Sequence, residues 1–239
     1  MSDMLYCGIM AGGIGTRMGR ADMPKQFICI NDVPVLIHTV RRFLSYGGFD
    51  GIVITSPRQH IEATRELLHR YCPEALAAVT EGGANRNGSL LNACMYLNNN
   101  FDVKKGDIIV THDAVRPFIN NRIIEQNITA ARNTGAANTV MPAIDTIVRS
   151  IDGITAHSVP LRSELYRVQT PQTFELTALT QILQNATPEQ LEKYTDAAGL
   201  YMAAGHTVTL VKGEEYNIKI TTPFDLTVAQ AFLDNEQQA

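Results

Sequence analysis

The sequence predicts an α/β protein, Rossmann-like and doubly wound, with a mostly parallel sheet and a projecting β-hairpin arm. Two observations carry the sheet: short apolar runs alternate with segments of helical period, and polar or glycine-rich motifs follow the first, third and fourth runs. A third observation carries the arm, because the alternation fails between Ile144 and Val168. There Thr146–Arg149 and Ile154–Val159 flank an Asp152-Gly153 turn signal.

In order, strand Leu5–Met10 precedes helix Pro34–Tyr46, strand Gly51–Thr55 precedes helix Gln59–Tyr71, and strand Ala77–Thr80 precedes helix Arg86–Leu97. Asp107–Thr111, helix Asn120–Asn133 and strand Ala136–Pro142 continue the rhythm. Short helices are expected after Thr170-Pro171-Gln172, then a strand near Thr207–Val211. A last helix begins at Thr222-Pro223, where Thr caps and Pro occupies the first turn. Residues 1–239 carry no linker-like tract or internal repeat, which predicts one domain with 144–168 as its arm.

The formal charge of −4 argues against a general nucleic-acid or membrane binder, since a polyanion needs a basic face. No apolar stretch approaches the roughly 18 residues that span a bilayer. Cys7, Cys29, Cys72 and Cys94 lack C-x-x-C spacing, so reduced core thiols are expected, and with them a cytoplasmic setting.

The first strand breaks into Ala11-Gly12-Gly13-Ile14-Gly15-Thr16-Arg17-Met18-Gly19, followed by Pro24-Lys25-Gln26. Glycines there let backbone N–H groups approach a ligand, and Arg17 and Lys25 bring cations to the same place, as a nucleoside triphosphate requires. The turn imitates a dinucleotide fingerprint, but the second strand ends Ile54-Thr55-Ser56-Pro57 without the acidic residue that holds a ribose. It is not a Walker loop either, because no Gly-Lys-Ser/Thr is present. Two alternatives to an enzyme of this kind are an NAD-type oxidoreductase, disfavoured by the missing acid, and a nucleotide sensor, disfavoured by the retained cations.

Strands of such sheets present ligands at their carboxyl ends. Glu81 to Ser89 and His112-Asp113-Ala114-Val115-Arg116-Pro117 fall at two of those ends and are expected to converge with the glycine loop. His112 alone reads as a satisfied structural histidine. Asp113 opposite Arg17 and Lys25 would repel a triphosphate unless a divalent cation, Mg²⁺, lay between. Arg116 reads as a partner of Asp113. Lys219, flanked by Ile218 and Ile220 in an expected short strand, needs a partner for its charge.

The ordered set Ala-Gly-Gly…Gly-Thr-Arg-Met…Pro-Lys-Gln-Phe, Glu-Gly-Gly…Arg, His-Asp-Ala-Val-Arg-Pro, Thr-Pro-Gln-Thr-Phe, Thr-Asp-Ala and Asn-Ile-Lys-Ile-Thr-Thr-Pro-Phe-Asp-Leu resembles the sugar-alcohol phosphate cytidylyltransferases from about Tyr6 to Leu226. Of its two branches, methylerythritol 4-phosphate and ribitol 5-phosphate, the chain looks more like the ribitol branch at Met23–Phe27, Thr111, Val115 and Tyr216. The resemblance implies a CTP cradle from Met10, Ala11, Gly12, Gly13 and Gly15 and from Gly83, Ala84, Asn85, Arg86, Asn87, Gly88 and Ser89. His112 and Asp113 would lie beside ribose and metal. It implies Arg17 and Lys25 as the catalytic cations, and Arg162, Lys219, Thr146 and Tyr216 on the acceptor side. The arm would mediate a homodimer, the metal would be Mg²⁺, and the product would be CDP-ribitol. Ala84, Gly88 and Ser89 depart from the residues usual in that family.

Overall fold

The computed structural model describes residues 3–12, 24–75 and 77–236. A seven-stranded sheet runs in the order β5-β4-β1-β6-β8-β7-β9, with β1 (Leu5–Met10), β4 (Gly51–Ser56), β5 (Ala77–Glu81), β6 (Ile108–Asp113), β7 (Ala136–Pro142), β8 (Tyr166–Glu175) and β9 (Thr209–Lys212). β2 (Cys29–Ile30) and β3 (Val33–Pro34) form a separate hairpin. The β5-β4-β1-β6 half is wholly parallel; β8 runs antiparallel to both its neighbours, and β9 is parallel to β7.

Burial on both faces explains why the central strands read as unbroken apolar runs. Leu5, Cys7 and Ile9 of β1 point to one core with α1 (Val35–Tyr46), α2 (Ile61–Tyr71) and α4 (Asn121–Thr134). Tyr6 and Met10 point to the other, with α3 (Arg86–Asn100), α5 (Leu176–Asn185) and α7 (Ala197–Ala203). The short α6 (Pro188–Lys193) opens with a Thr187/Gln190 capping box. A third core joins the β2–β3 hairpin to α8 (Pro223–Glu236) through Ile30, Val35, Phe118 and Leu233. As expected, Thr222 caps α8: its N–H donates to Asp225 Oδ2 (2.8 Å), and the Asp225 N–H returns to Thr222 Oγ1 (3.3 Å).

Several local readings are corrected. The sequence pattern does not announce β8, because Tyr166–Glu175 is polar and contains Pro171, yet residues 169–174 are buried. The ladder shifts register between Asn138 and Val140, and Thr139 Oγ1 donates to the Pro171 carbonyl at 2.7 Å, so the residue without an N–H sits where the ladder is already interrupted. The segment after β7 does turn back on itself, but its expected strands reduce to one antiparallel bridge, Arg149 to Ser158. Asp152 replaces the tight turn with a wider loop, accepting the N–H groups of Ile154 (2.9 Å) and Thr155 (2.8 Å). Residues 217–220 form no strand. All four cysteines are free, but Cys29 is exposed and therefore not a core thiol.

Asp107 fixes the start of both central strands: its oxygens accept the Met4 and Lys104 N–H groups, each at 2.8 Å, and it is buried. Asp107→Ala should therefore lower unfolding free energy by roughly 1–3 kcal/mol, the cost of orphaning buried donors. Denaturant titration checks this; stability equal to wild type would show that water satisfies both groups.

Candidate active site

β1 and β6 are the adjacent strands from which the chain departs in opposite directions, so their carboxyl ends open a crevice at the switch point of the sheet. Met10 pairs with Asp113 across this gap. The Ala11 N–H donates to the Thr55 carbonyl (2.9 Å) and the Ala114 N–H to the Met10 carbonyl (3.0 Å), which fixes the first residue beyond each strand. A cavity of about 190 Å³ lies here. Its floor is Met10, Ala11, Gly12, Asp113, Ala114 and Val115; one wall is Gly83–Arg86 with Ser89, the other Lys25, Gln26 and Lys219. Within the described residues, Ala11–Gly12 of the glycine loop, Gly83–Arg86 with Ser89, and Asp113–Val115 meet here.

The Gly83 wall is shaped by a close backbone approach. A side chain at Gly83 would overlap the backbone of Gly88, so glycine is required there. Ser89 Oγ accepts the Gly83 N–H and donates to the Asn85 carbonyl, each at 3.0 Å, and Asn85 caps α3 through Gly88 N–H (2.8 Å). Asn87 turns away and donates to the Tyr194 carbonyl (2.7 Å); neither it nor Gly88 lines the cavity. Opposite, Gln26 Nε2 donates to the Ala11 carbonyl at 2.7 Å, tying the turn that carries Lys25 to the end of β1.

Asp113 organises the cations. Its Oδ1 faces Arg86 Nε (3.3 Å), and its Oδ2 faces Arg116 Nε (3.2 Å) and Lys219 Nζ (3.0 Å). Burial alone would raise the carboxyl; Arg86, Lys219 and Arg116 together hold it well below the usual carboxylate range. Lys219 thus has the partner its charge required. The Asp113 N–H donates to Thr170 Oγ1 at 3.1 Å. That hydroxyl meets His112 Nδ1 at 3.0 Å, while His112 Nε2 meets the Arg116 carbonyl at 3.0 Å. Since only an N–H can pair with that carbonyl, His112 carries its proton on Nε2 and accepts from Thr170. Burial pushes its pKa down to about 4, so the ring is neutral.

The remaining expected residues lie elsewhere. Tyr216 Oη accepts from Asn120 Nδ2 (2.7 Å) and its ring stacks on Phe232 (5.3 Å between centroids), so it belongs to the third core and not to the cavity lining. Thr146 and Arg162 sit on the exposed segment between β7 and β8, where Arg162 Nη1 donates to the Ile144 carbonyl at 3.1 Å. Gly13, Gly15 and Arg17 lie outside the described residues. Gln26, Ala114 and Val115 also line the cavity; they belong to the motifs expected to meet there, although the sequence assigns none of them a binding role. Among the described residues no group of three His, Cys, Asp or Glu side chains could cage a metal, and Asp113 is the one carboxylate lining the cavity. That fits Mg²⁺ arriving with a triphosphate, which needs only one or two protein carboxylates.

A glycine-walled, cation-rich cavity at the switch point of such a sheet defines a nucleotide-binding α/β enzyme. The family model for 2-C-methyl-D-erythritol 4-phosphate cytidylyltransferase (IspD) matches residues 6–235. The chain belongs to that family and is a CTP-dependent cytidylyltransferase. It is 28% identical to the 2-C-methyl-D-erythritol 4-phosphate cytidylyltransferase of Thermus thermophilus, covering 98% of this chain and 100% of that one (TM-score 0.74). The Francisella tularensis protein of the same description is 27% identical over 96% and 99% (TM-score 0.79). The 4-diphosphocytidyl-2C-methyl-D-erythritol synthase of Anaerococcus prevotii, at 24% identity over 97% and 99%, shares the fold (TM-score 0.80).

A neutral His112 has a pH consequence. Its pKa falls from 6.5 unfolded to about 4 folded, so between those values the unfolded chain binds more protons and stability falls as pH falls. Asp113, whose pKa is lowered, loses its contribution only below the usual carboxylate range. Denaturant midpoints from about pH 7.5 to 4.5 should decline in wild type, and His112→Gln should flatten the decline whatever its absolute stability. An unchanged slope would assign the loss to other groups.

Proposed function

We propose that the protein transfers the cytidylyl group of CTP to the phosphate of an acyclic polyol phosphate, 2-C-methyl-D-erythritol 4-phosphate, with release of pyrophosphate. The observation that carries this is the charge balance of the cavity: Lys25, Arg86 and Lys219 line it and Arg116 stands behind, against one carboxylate. Such a site is built for more than one phosphate group. An oxygen of the acceptor phosphate attacks the α-phosphorus of CTP in line, the new P–O bond forms, and the bond to the β-phosphate oxygen breaks. A phosphate monoester with a second pKa near about 6 is already a dianion at pH 7, so no general base is required. Lys25, with Arg17 expected beside it, would stabilise charge that grows on the non-bridging oxygens, and the Ala11–Gly12 and Gly83–Ser89 backbones would hold the nucleotide. The family generally depends on a divalent metal; Mg²⁺, held by the triphosphate and Asp113, would supply Lewis-acid neutralisation of those oxygens.

The acceptor follows the family description and the two structures above 25% identity. A second reading, D-ribitol 5-phosphate to give CDP-ribitol, rests on Met23–Phe27, Thr111 and Val115. Tyr216 no longer supports it, because its hydroxyl is engaged by Asn120 away from the cavity. Lys219 would grip the acceptor phosphate. Arg162 and Thr146 would reach an acceptor only from a partner subunit, which supports a homodimer built on the 144–168 arm of one domain. Exposed Ile151, Ile154 and Leu161 on that arm support the same assembly. No helix among the described residues is long and apolar enough to cross a membrane, and four free cysteines suit a reducing, cytoplasmic setting.

Lys25→Ala should lower kcat by about 10²–10³ with the fold retained, as loss of one preorganised contact to developing charge does. Near-wild-type turnover would remove this mechanism. Pyrophosphate release, assayed with each nucleoside triphosphate and with both polyol phosphates below KM, should be fastest for CTP and methylerythritol 4-phosphate. Faster ribitol turnover would establish the second reading and leave the cytidylyl transfer intact. The intact protein should sediment as a dimer at micromolar concentration, and deletion of Ser150–Ile154 should yield a folded monomer; a dimeric deletion variant would place the interface elsewhere.

A further inference from the structure

Lys219 is the cation farthest from regular structure: residues 213–221 form neither helix nor strand, yet they deliver Nζ to within 3.0 Å of Asp113. Downstream, the segment is held by the Ile220 N–H, which donates to the Val115 carbonyl at 2.9 Å. Upstream, the Gly213 N–H donates to the Val140 carbonyl (2.9 Å) and the Asn217 N–H to the Glu214 carbonyl (3.1 Å), and side chains add the rest of the fastening. Gln169 of β8 spans the turn: its Nε2 donates to the Glu214 carbonyl (2.8 Å), and its Oε1 accepts from Asn217 Nδ2 (3.1 Å). Asn217, fully buried, donates from the same Nδ2 to the Thr170 carbonyl (2.8 Å), and its own carbonyl accepts from Arg116 Nη1 (2.9 Å). A side chain at Gly213 would overlap Gln169 Oε1, so the glycine makes the approach possible.

We infer that Gln169 and Asn217 are positioning residues for the acceptor side of the site: together with Gly213 they form a clasp that sets Lys219 against Asp113. The inference rests on the reading of Lys219 as the acceptor-phosphate ligand. Three features make the clasp specific to placement. It is built of amides only, so it adds no charge to a cavity whose charges are already matched to the ligand. Its anchors, Gln169 and Thr170, belong to the strand next to β6, which carries Asp113, so both members of the Asp113–Lys219 pair are referred to the same two strands. And Arg116 bonds both Asp113 and the Asn217 carbonyl, so the clasp and the ion pair share one guanidinium. Because the clasp grips only two residues before Lys219, its loss displaces that ammonium first, while Gly12, Gly83 and Ser89 on the far wall keep their own contacts.

The test uses the full-length enzyme with CTP and its better polyol phosphate substrate. Gln169→Leu removes both bonds across the turn, and Asn217→Ala removes the two Nδ2 bonds; the second variant carries the test where the first does not fold. Each should lower kcat/KM for the acceptor, on the order of 10²-fold for a misplacement near 1 Å, with the equilibrium affinity for CTP unchanged. Lys219→Ala introduced into either variant should cost much less than it costs in wild type, because a displaced lysine has little left to lose. Full additivity, or a parallel loss of CTP affinity, would overturn the clasp while leaving the role of Lys219 standing. Wild-type acceptor kinetics for Lys219→Ala alone would instead remove the reading of Lys219, and the clasp with it.

Discussion

The site depends on one buried carboxylate that faces three cations. Asp113 is 5% exposed and carries Arg86, Arg116 and Lys219 on its two oxygens, groups that come from three separate stretches of chain. A carboxylate in that position without partners would be neutral, and three cations in that position without it would repel one another. Each is therefore a condition for the other, and the segments bearing them must arrive together. Parallel pairing of β6 with β1 delivers Asp113, the cap of α3 delivers Arg86, and an irregular segment fastened to β8 delivers Lys219.

Burial keeps the neighbouring His112 neutral against the pull of the Asp113 carboxylate and the Arg116 carbonyl, and Arg116 and Arg86 add a smaller opposition to its protonation. A charged imidazole would add one more cation to a group that a single carboxylate already balances incompletely. Held neutral, with Nε2–H on the Arg116 carbonyl and Nδ1 accepting from Thr170, it instead stiffens the backbone that presents Asp113.

The half of the fold made of βα units is legible in the sequence because its strands are buried on both faces and its helices carry clear ends, such as Asn120 before α4 and Gly135 after it. β8 is not, because a strand wedged between two antiparallel neighbours needs no apolar alternation when Gln172 is buried beside the polar partners Asn138 and Asp196, and Pro171 disguises it further. Of the site, the glycine wall, Lys25 and Asp113 are legible from motif and position together. The clasp is not: Gln169 and Asn217 are ordinary amides whose task shows only when β8 and the segment after β9 are seen side by side. Tyr216 reads toward the acceptor because the resemblance puts it where the methylerythritol branch carries a carboxylate. Residues 215–216 form a turn, however, and its ring goes to Phe232 in the third core.

The excess of positive charge left after Asp113 is counted has a further consequence for how such a site works. The fold itself places Arg86 and Arg116 against Asp113 and largely out of solvent, so part of the cost of assembling them is met by folding and not by binding. The arriving triphosphate and acceptor phosphate then complete a balance that the protein leaves open, and transition-state charge develops against dipoles and ammonium groups that need not reorganise. The one member able to yield is Lys219, whose side chain is 39% exposed where those of Asp113 and Arg116 are nearly closed off. On the proposed role of Lys219, an acceptor phosphate would compete with Asp113 for that ammonium. Asp113 would stay held by Arg86 and Arg116, so the nucleotide half of the site would remain fixed while the acceptor half exchanged partners.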